Sequence, residues 1–253
     1  MKKYSTIITD ADGTLAHTRE PIDRDMAELI SKFLYKGVHF VVISGATLDR
    51  LIERIVHKLP PDTPLENLYL LPASGSLMYS YQNGAWQEVY AYTLEESDKA
   101  QIISAFQQVL DKNDMQIPHV SDCWGTQLED RGASFAFSAL GQDAPREEKS
   151  KWDQDESKRR ALIRALEPLL SEYDLLIGGT TTIDINKKEH GKDFGVREFL
   201  AHTNTSINEI FFIGDQLNPG GNDYPVTTLG IESYHTQGPN DTFEKLQSLL
   251  EQV

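Results

Sequence analysis

Residues 38–43, Val-His-Phe-Val-Val-Ile, form a nearly unbroken apolar run between two amphipathic stretches. A strand with no polar face belongs in a parallel sheet that is covered on both sides. The flanking segments agree. Residues 4–9 read as a strand. Over 23–36, Met26, Leu29, Ile30, Phe33 and Leu34 keep helical spacing, and Gly37 is placed to end the helix. A second helix over 47–58 carries Leu48, Leu51, Ile52, Ile55 and Val56 on one side before Pro60-Pro61 stops it, and 68–71 reads as a third strand. This β-α-β-α-β order predicts an α/β fold with a doubly wound parallel-sheet core.

The middle of the chain differs in character. Residues 77–81 and 86–90 flank Asn83-Gly84 and predict a hairpin. A helix over 95–112 follows, then strands at 127–129 and 134–138. The charged stretch 143–158 reads as a solvated loop. A helix over 156–172 and a strand at 181–185 complete the run. Strands grouped around two helices predict an inserted α+β cap over residues 88–188, with 1–87 and 189–253 forming the core. Alternating order then resumes with a helix over 193–202 and an apolar strand over 209–213. The last helix is expected over 241–252, where Asp241 and Glu244 are spaced for a capping box.

Composition narrows the chemistry. A formal charge of −15 over 253 residues argues against nucleic acid or an anionic membrane as partner. Any phosphorylated ligand then needs a local cluster of cations. The single Cys123 excludes an internal disulfide and fits a reducing, cytoplasmic setting. Met1-Lys2-Lys3 leads directly into the first strand, whose apolar run is too short for a signal peptide or membrane span. The seven histidines show no zinc-ligand spacing.

Four segments fall at strand ends or helix starts, on the edge where open α/β sheets bind ligands. Thr9-Asp10-Ala11-Asp12-Gly13-Thr14-Leu15 sets two carboxylates one residue apart at the end of the first strand, a costly pairing unless a cation sits between them. It suits magnesium-assisted phosphoryl transfer with Asp10 as nucleophile and Asp12 as proton carrier. Taken alone, the same pattern also occurs in ordinary turns and calcium loops. Ser44-Gly45 precedes a helix and offers a hydroxyl and backbone N–H groups to phosphoryl oxygens, or serves as a plain helix cap. Lys192, after Gly191, can neutralise phosphate charge, although most single lysines are merely solvated. Gly214-Asp215 and Gly220-Gly221-Asn222-Asp223 follow the apolar strand 209–213.

These residues carry a family resemblance. Asp10-x-Asp12-Gly-Thr-Leu, Ser44, Lys192 and Gly214-Asp215 resemble the four ordered motifs of the haloacid dehalogenase-like (HAD) phosphotransferases, subfamily IIB. The run 212–223, Phe-Ile-Gly-Asp-Gln-Leu-Asn-Pro-Gly-Gly-Asn-Asp, resembles a signature of eukaryotic-type phosphomannomutases. Gly178-Gly179 with Thr182 and Asp184 is similar to that family's sugar-contacting strand, and Arg19 falls at an active-site arginine. The resemblance implies a mobile cap, dimerisation through it, and Mg²⁺ held by Asp10, the Asp12 backbone carbonyl and Asp215, with Asp223 supporting. It also implies that cap arginines hold a sugar's second, non-reacting phosphate. Here those positions carry Arg131, Gln142 and Lys149, Trp124 replaces a further arginine, and Ala73-Ser74-Gly75 replaces Glu-Asn-Gly. An amide at 142 removes one bidentate clamp, and lysine at 149 substitutes a point charge for a fork.

The expectation is therefore a Mg²⁺-dependent phosphatase acting on a phosphorylated sugar or similar small metabolite through an aspartyl-phosphate. Arg19, Gly45, Arg131, Lys149, Thr182 and Asp184 would bind the substrate. The alternative is a hexose-phosphate mutase, in which a hydroxyl of a sugar bisphosphate replaces water. A regulator that binds a phosphosugar without turnover is disfavoured, because all four chemical positions are filled.

Overall fold

Successive side chains of a strand leave opposite faces of its sheet, so an all-apolar strand needs a layer of helices on each side. The computed structural model of the protein describes residues 4–112 and 117–253; Met1-Lys2-Lys3 lies outside the described residues. The first part of the core comprises β1 (Thr6–Thr9), α1 (Arg24–Tyr35), β2 (His39–Ile43), α2 (Leu48–Arg54), β3 (Leu68–Leu71), β4 (Leu77–Gln82) and β5 (Ala85–Ala91). The cap contributes α3 (Glu96–Leu110), β6 (Leu128–Asp130), β7 (Ser134–Ser138), α4 (Arg146–Trp152), α5 (Ser157–Leu166), β8 (Tyr173–Gly178) and β9 (Thr182–Lys187). The chain returns through α6 (Lys192–Thr203), β10 (Ile210–Gly214), α7 (Tyr224–Thr227), β11 (Glu232–His235) and α8 (Pro239–Leu250).

The core sheet runs β11-β10-β1-β2-β3-β4-β5, parallel from β11 to β3 and antiparallel beyond. Ile7, Phe40, Val42, Leu70 and Ile213 pack with Phe33 of α1 and Leu246 of α8. Ile8, Val41, Ile43, Leu71 and Phe212 pack with Val196 and Phe199 of α6 on the other face. This is the doubly wound HAD-type core. The chain goes from β1 to β2 on one side and returns to β10 on the other, so the carboxyl end of β1 lies at a topological switch point. The cap is a separate antiparallel sheet, β6-β7-β9-β8, with its own core of Phe106, Phe137, Leu162, Leu166, Ile183 and Ile185.

Some boundaries differ from the sequence reading. The hairpin belongs to the core sheet, because Met78, Val89 and Tyr90 pack on the α6 side. Strand β5 runs to Ala91 and stays paired with β4 of that sheet. The stretch 143–158 is not a solvated loop. It contains α4, and Lys149 and Asp153 are buried, as is Arg159 just beyond it. Arg159 donates to Asp153 at 2.9 Å and to the Gly179 carbonyl at 2.7 Å, and Lys149 donates to the Gln142 carbonyl. The expected capping box at Asp241 does not form. Helix α8 starts earlier, at Pro239, and Asp241 accepts from the Tyr234 hydroxyl and the Gln237 amide instead.

Candidate active site

Asp10 leaves the end of β1, where its amide donates to the Ile213 carbonyl and ties it to β10. Its carboxylate is buried and meets the ammonium of Lys192, the first residue of α6, at 2.6 Å. The same ammonium donates to Asp223 at 2.6 Å. Burial pushes Asp10 well above the usual carboxylate range, against the pull of Lys192. Burial alone would lower Lys192, but Asp10 and Asp223 outweigh it and hold the lysine charged. Asp215 is pushed up to about 6, first by burial and then by Asp223. Two carboxylates thus share one lysine, and Asp215 adds a third carboxylate close by. Asp12 lies beside them and accepts from the backbone N–H of Arg19, a residue held at φ 64° in the left-handed region.

The phosphoryl-facing wall comes from the end of β2. Ser44 is buried, and its Oγ accepts from the Ala46 amide at 3.1 Å, which leaves the hydroxyl proton available to a ligand oxygen. Ala73, Ser74 and Gly75 all have positive φ, at 49°, 58° and 90°. That left-handed turn sends the Ser74 amide to the Ser44 carbonyl at 2.9 Å and the Ala73 amide to the Ala46 carbonyl at 3.0 Å. Gly75 packs against Gly195 of α6, where an added Cβ would lie 2.6 Å from the Gly195 Cα. The turn therefore ties the Ser44 loop to the helix that carries Lys192.

The cap supplies the roof. Arg131 donates to Glu129 at 2.9 Å and to the Gly45 carbonyl of the core, and lies 3.5 Å from Asp184. Asn222 of the core donates to Asp184 at 3.3 Å. Asp10, Asp12, Arg19, Ser44, Gly45, Arg131, Thr182, Asp184 and Asp215 line one cavity of about 60 Å³. Lys192 and Asp223 stand behind its floor. Lys149 is outside it, on an adjoining cleft of about 830 Å³ between core and cap, donating to the Gln142 carbonyl at 2.8 Å. Gln142 in turn accepts from Arg19.

The sequence reading missed Arg50 and Arg54, which line the cavity from α2. Arg50 forms a two-pronged pair with Glu129 of the cap, at 2.6 and 3.1 Å. Arg54 lies 3.8 Å from Asp12. The i, i+4 spacing of two arginines on the polar side of a helix that starts beside Ser44-Gly45 was the signal available.

The donor set fits a hard divalent cation. Asp10, Asp215 and Asp223 each offer a carboxylate oxygen, all within 4.8 Å of one another. Gly13 keeps room for the cluster, since a Cβ there would collide with the Asp215 carboxylate. Both oxygens of Asp223 are already used, by Lys192 and by the Gln216 amide at 3.0 Å, so it supports from behind. Among the described residues, no helix is long and apolar enough to cross a membrane.

The chain resembles known proteins in sequence and in fold. The family described as eukaryotic phosphomannomutase matches residues 26–252. A Drosophila melanogaster phosphomannomutase is 24% identical over 251 residues, spanning 97% of this chain and 95% of its own. The Saccharomyces cerevisiae phosphomannomutase is 25% identical over 260 residues, with 98% and 95% covered. Among solved structures, an IMP-bound Plasmodium falciparum IMP-nucleotidase superposes with TM-score 0.75 at 15% identity, covering 99% of this chain and 67% of that one. The Streptococcus mutans protein SMU.1108c gives TM-score 0.66 at 15% identity, with 98% and 99% covered. At such identities the structural likeness speaks for the fold.

Proposed function

The chain belongs to the eukaryotic phosphomannomutase family, and from that premise we propose that it moves a phosphoryl group between hydroxyls of a sugar phosphate by way of Asp10. The observation that carries this reading is the Asp10 carboxylate, pinned by Lys192 at 2.6 Å on the floor of a cavity roofed by Arg131 and Asp184. Asp10 attacks phosphorus in line, the bond to the leaving oxygen breaks, and Asp12 delivers a proton to that oxygen. The Arg19 amide holds Asp12 in orientation. Asp12 then takes a proton from the hydroxyl that attacks the aspartyl-phosphate. Ser44 and Lys192 stabilise the charge on the equatorial oxygens. Asp10, the Asp12 carbonyl and Asp215 would hold Mg²⁺, which when bound neutralises charge on the transferring group.

Water or a second sugar hydroxyl can be that attacking group. The names of the full-length relatives support the sugar hydroxyl, against the preference for water drawn from the sequence. The contacts from Arg131 to Gly45 and from Asn222 to Asp184 close the cap over the site, which also favours excluding water. One observation favours hydrolysis: neutral Gln142 stands where the family carries an arginine. Incubating the protein with Mg²⁺, mannose 1-phosphate and a catalytic amount of glucose 1,6-bisphosphate separates the two. Isomerisation without phosphate release is expected; stoichiometric phosphate release would establish the hydrolase. Asp10→Asn should abolish turnover in either case, with the fold retained by circular dichroism.

A further inference from the structure

A buried polar atom is nearly always hydrogen-bonded, because an unpaired one gives up its water without return. Among the described residues, the buried side-chain atoms that lack such a partner include the Oδ1 of Asn222, and Asn222 alone of those residues lines the cavity of about 60 Å³. The residue is only 9% exposed. Its Nδ2 donates across the boundary between core and cap to the Asp184 carboxylate of β9, at 3.3 Å. That contact sets the orientation of the amide, since a carbonyl turned toward the carboxylate would be repelled. The carbonyl oxygen is then the end of the amide left for the cavity.

The neighbours of Asn222 hold it in place. Gly221 forms a parallel β-bridge with Ile177 of β8, so the loop meets the cap through main chain as well. On the core side, a Cβ at Gly221 would lie 2.3 Å from the Gln216 carbonyl oxygen, and Asp223 is held by Lys192 at 2.6 Å and by the Gln216 amide at 3.0 Å. On the cap side Gly178 keeps the space open, because a Cβ there would lie 2.7 Å from the Asp184 carboxylate and 3.7 Å from Asn222 Nδ2. What satisfies an oxygen fixed in this way is a donor inside the cavity. The ionised oxygens of a phosphoryl group accept hydrogen bonds and would repel a carbonyl. A sugar hydroxyl donates.

We propose that Asn222 reads the sugar: its Oδ1 accepts a hydrogen bond from a hydroxyl of the bound sugar phosphate, and its tie to Asp184 aims that acceptor only when the cap is closed. The cations of the site read charge, which every phosphorylated metabolite carries. Asn222 reads a hydroxyl, and so separates a sugar phosphate from other phosphorylated ligands. This inference rests on the sugar-phosphate reading above.

The test uses the full-length Asp10→Asn protein with Mg²⁺, in which binding is measured without turnover, by calorimetry. The probes are inorganic phosphate, mannose 1-phosphate and its analogues lacking one hydroxyl each. Adding Asn222→Ala is expected to weaken mannose 1-phosphate about tenfold, the scale of one hydrogen bond to a buried acceptor, and to leave inorganic phosphate within about twofold. One deoxy analogue should escape that loss, because the hydroxyl that Asn222 reads is already missing from it. The others should fall with the parent. Asn222→Asp keeps an acceptor oxygen and should retain the discrimination against that one analogue, while its added charge weakens every anionic ligand alike. Mg²⁺ affinity should be unchanged by Asn222→Ala. A uniform loss over the parent and all deoxy analogues would mean that Asn222 only clips the cap to the core, and would overturn the proposal. An unchanged affinity for mannose 1-phosphate, or a matching loss of Mg²⁺ affinity, would overturn it too. If mannose 1-phosphate bound no better than inorganic phosphate before any change at Asn222, the sugar-phosphate reading itself would fall, and the inference with it.

Discussion

Replacing Asp215 by Asn removes one of three carboxylates crowded around a single lysine, and the metal-free protein should become more stable for it. Asp215 titrates near 6 in the fold against an ordinary 3.8, chiefly because it is buried and next to Asp223. At about 1.4 kcal/mol per pH unit, its ionised form then costs about 3 kcal/mol at neutral pH, and about 1 to 3 kcal/mol after solvent screening. Between pH 3.8 and 6 the folded state binds more protons than the unfolded one, so this group makes wild-type stability fall as pH rises through that window. The loss is complete above pH 6. Asn cannot ionise and escapes it. Urea unfolding of both proteins in EDTA from pH 4 to 8 should give coincident midpoints near pH 4, separating in favour of Asp215→Asn up to pH 6 and then holding. Millimolar Mg²⁺ should raise the wild-type midpoint more than that of the variant, because the carboxylate that destabilises the free protein is the one a cation repays. A variant less stable than wild type at pH 7.5 without metal, or a difference that ignores pH, would refute the reasoning.

Three further outcomes follow from the geometry. Gly75→Ala forces a Cβ onto the Gly195 backbone at φ 90° and should cost roughly 2–4 kcal/mol by chemical denaturation, with kcat lowered because the Ser44 loop loses its tie to α6. Glu129→Gln breaks the strap from Arg50 to Arg131; KM for a sugar phosphate should rise several-fold while stability changes by about 1 kcal/mol or less, since Arg50 and Glu129 are partly exposed and Arg131 keeps Asp184. Lys149, depressed to about 8 by burial and Arg19, is disfavoured as a cation in the fold. The cost is fully present below pH 8 and is relieved between 8 and 10.5, as the unfolded state keeps the proton longer, so Lys149→Met should stabilise the ligand-free protein at pH 7 and lose that advantage towards pH 10.5.

Much of the core was legible because its information is local. Val38 to Ile43 has no polar face, so both of its sides had to be covered, and the helices on either side declare themselves by spacing. The charged stretch around Lys149 was misread for the converse reason. A charge run looks solvated unless its partners are known, and the buried Arg159 beside it reaches another segment, at Gly179. Arg54 escaped notice because its position on the polar side of α2 has an ordinary explanation. Its partner is Asp12, which is far from it in sequence.

By itself, then, the sequence determined the doubly wound core, the insertion, and the four strand-end or helix-start positions that hold Asp10, Ser44, Lys192 and Asp215. Those follow from hydrophobic periodicity and from residue types whose chemistry is specific. Only the tertiary structure decided how charge is distributed: which carboxylates share Lys192, which arginines strap the cap, and which cations are left facing the cleft. Electrostatic interactions depend on distance and burial in space, and neither can be read from the order of residues in a chain.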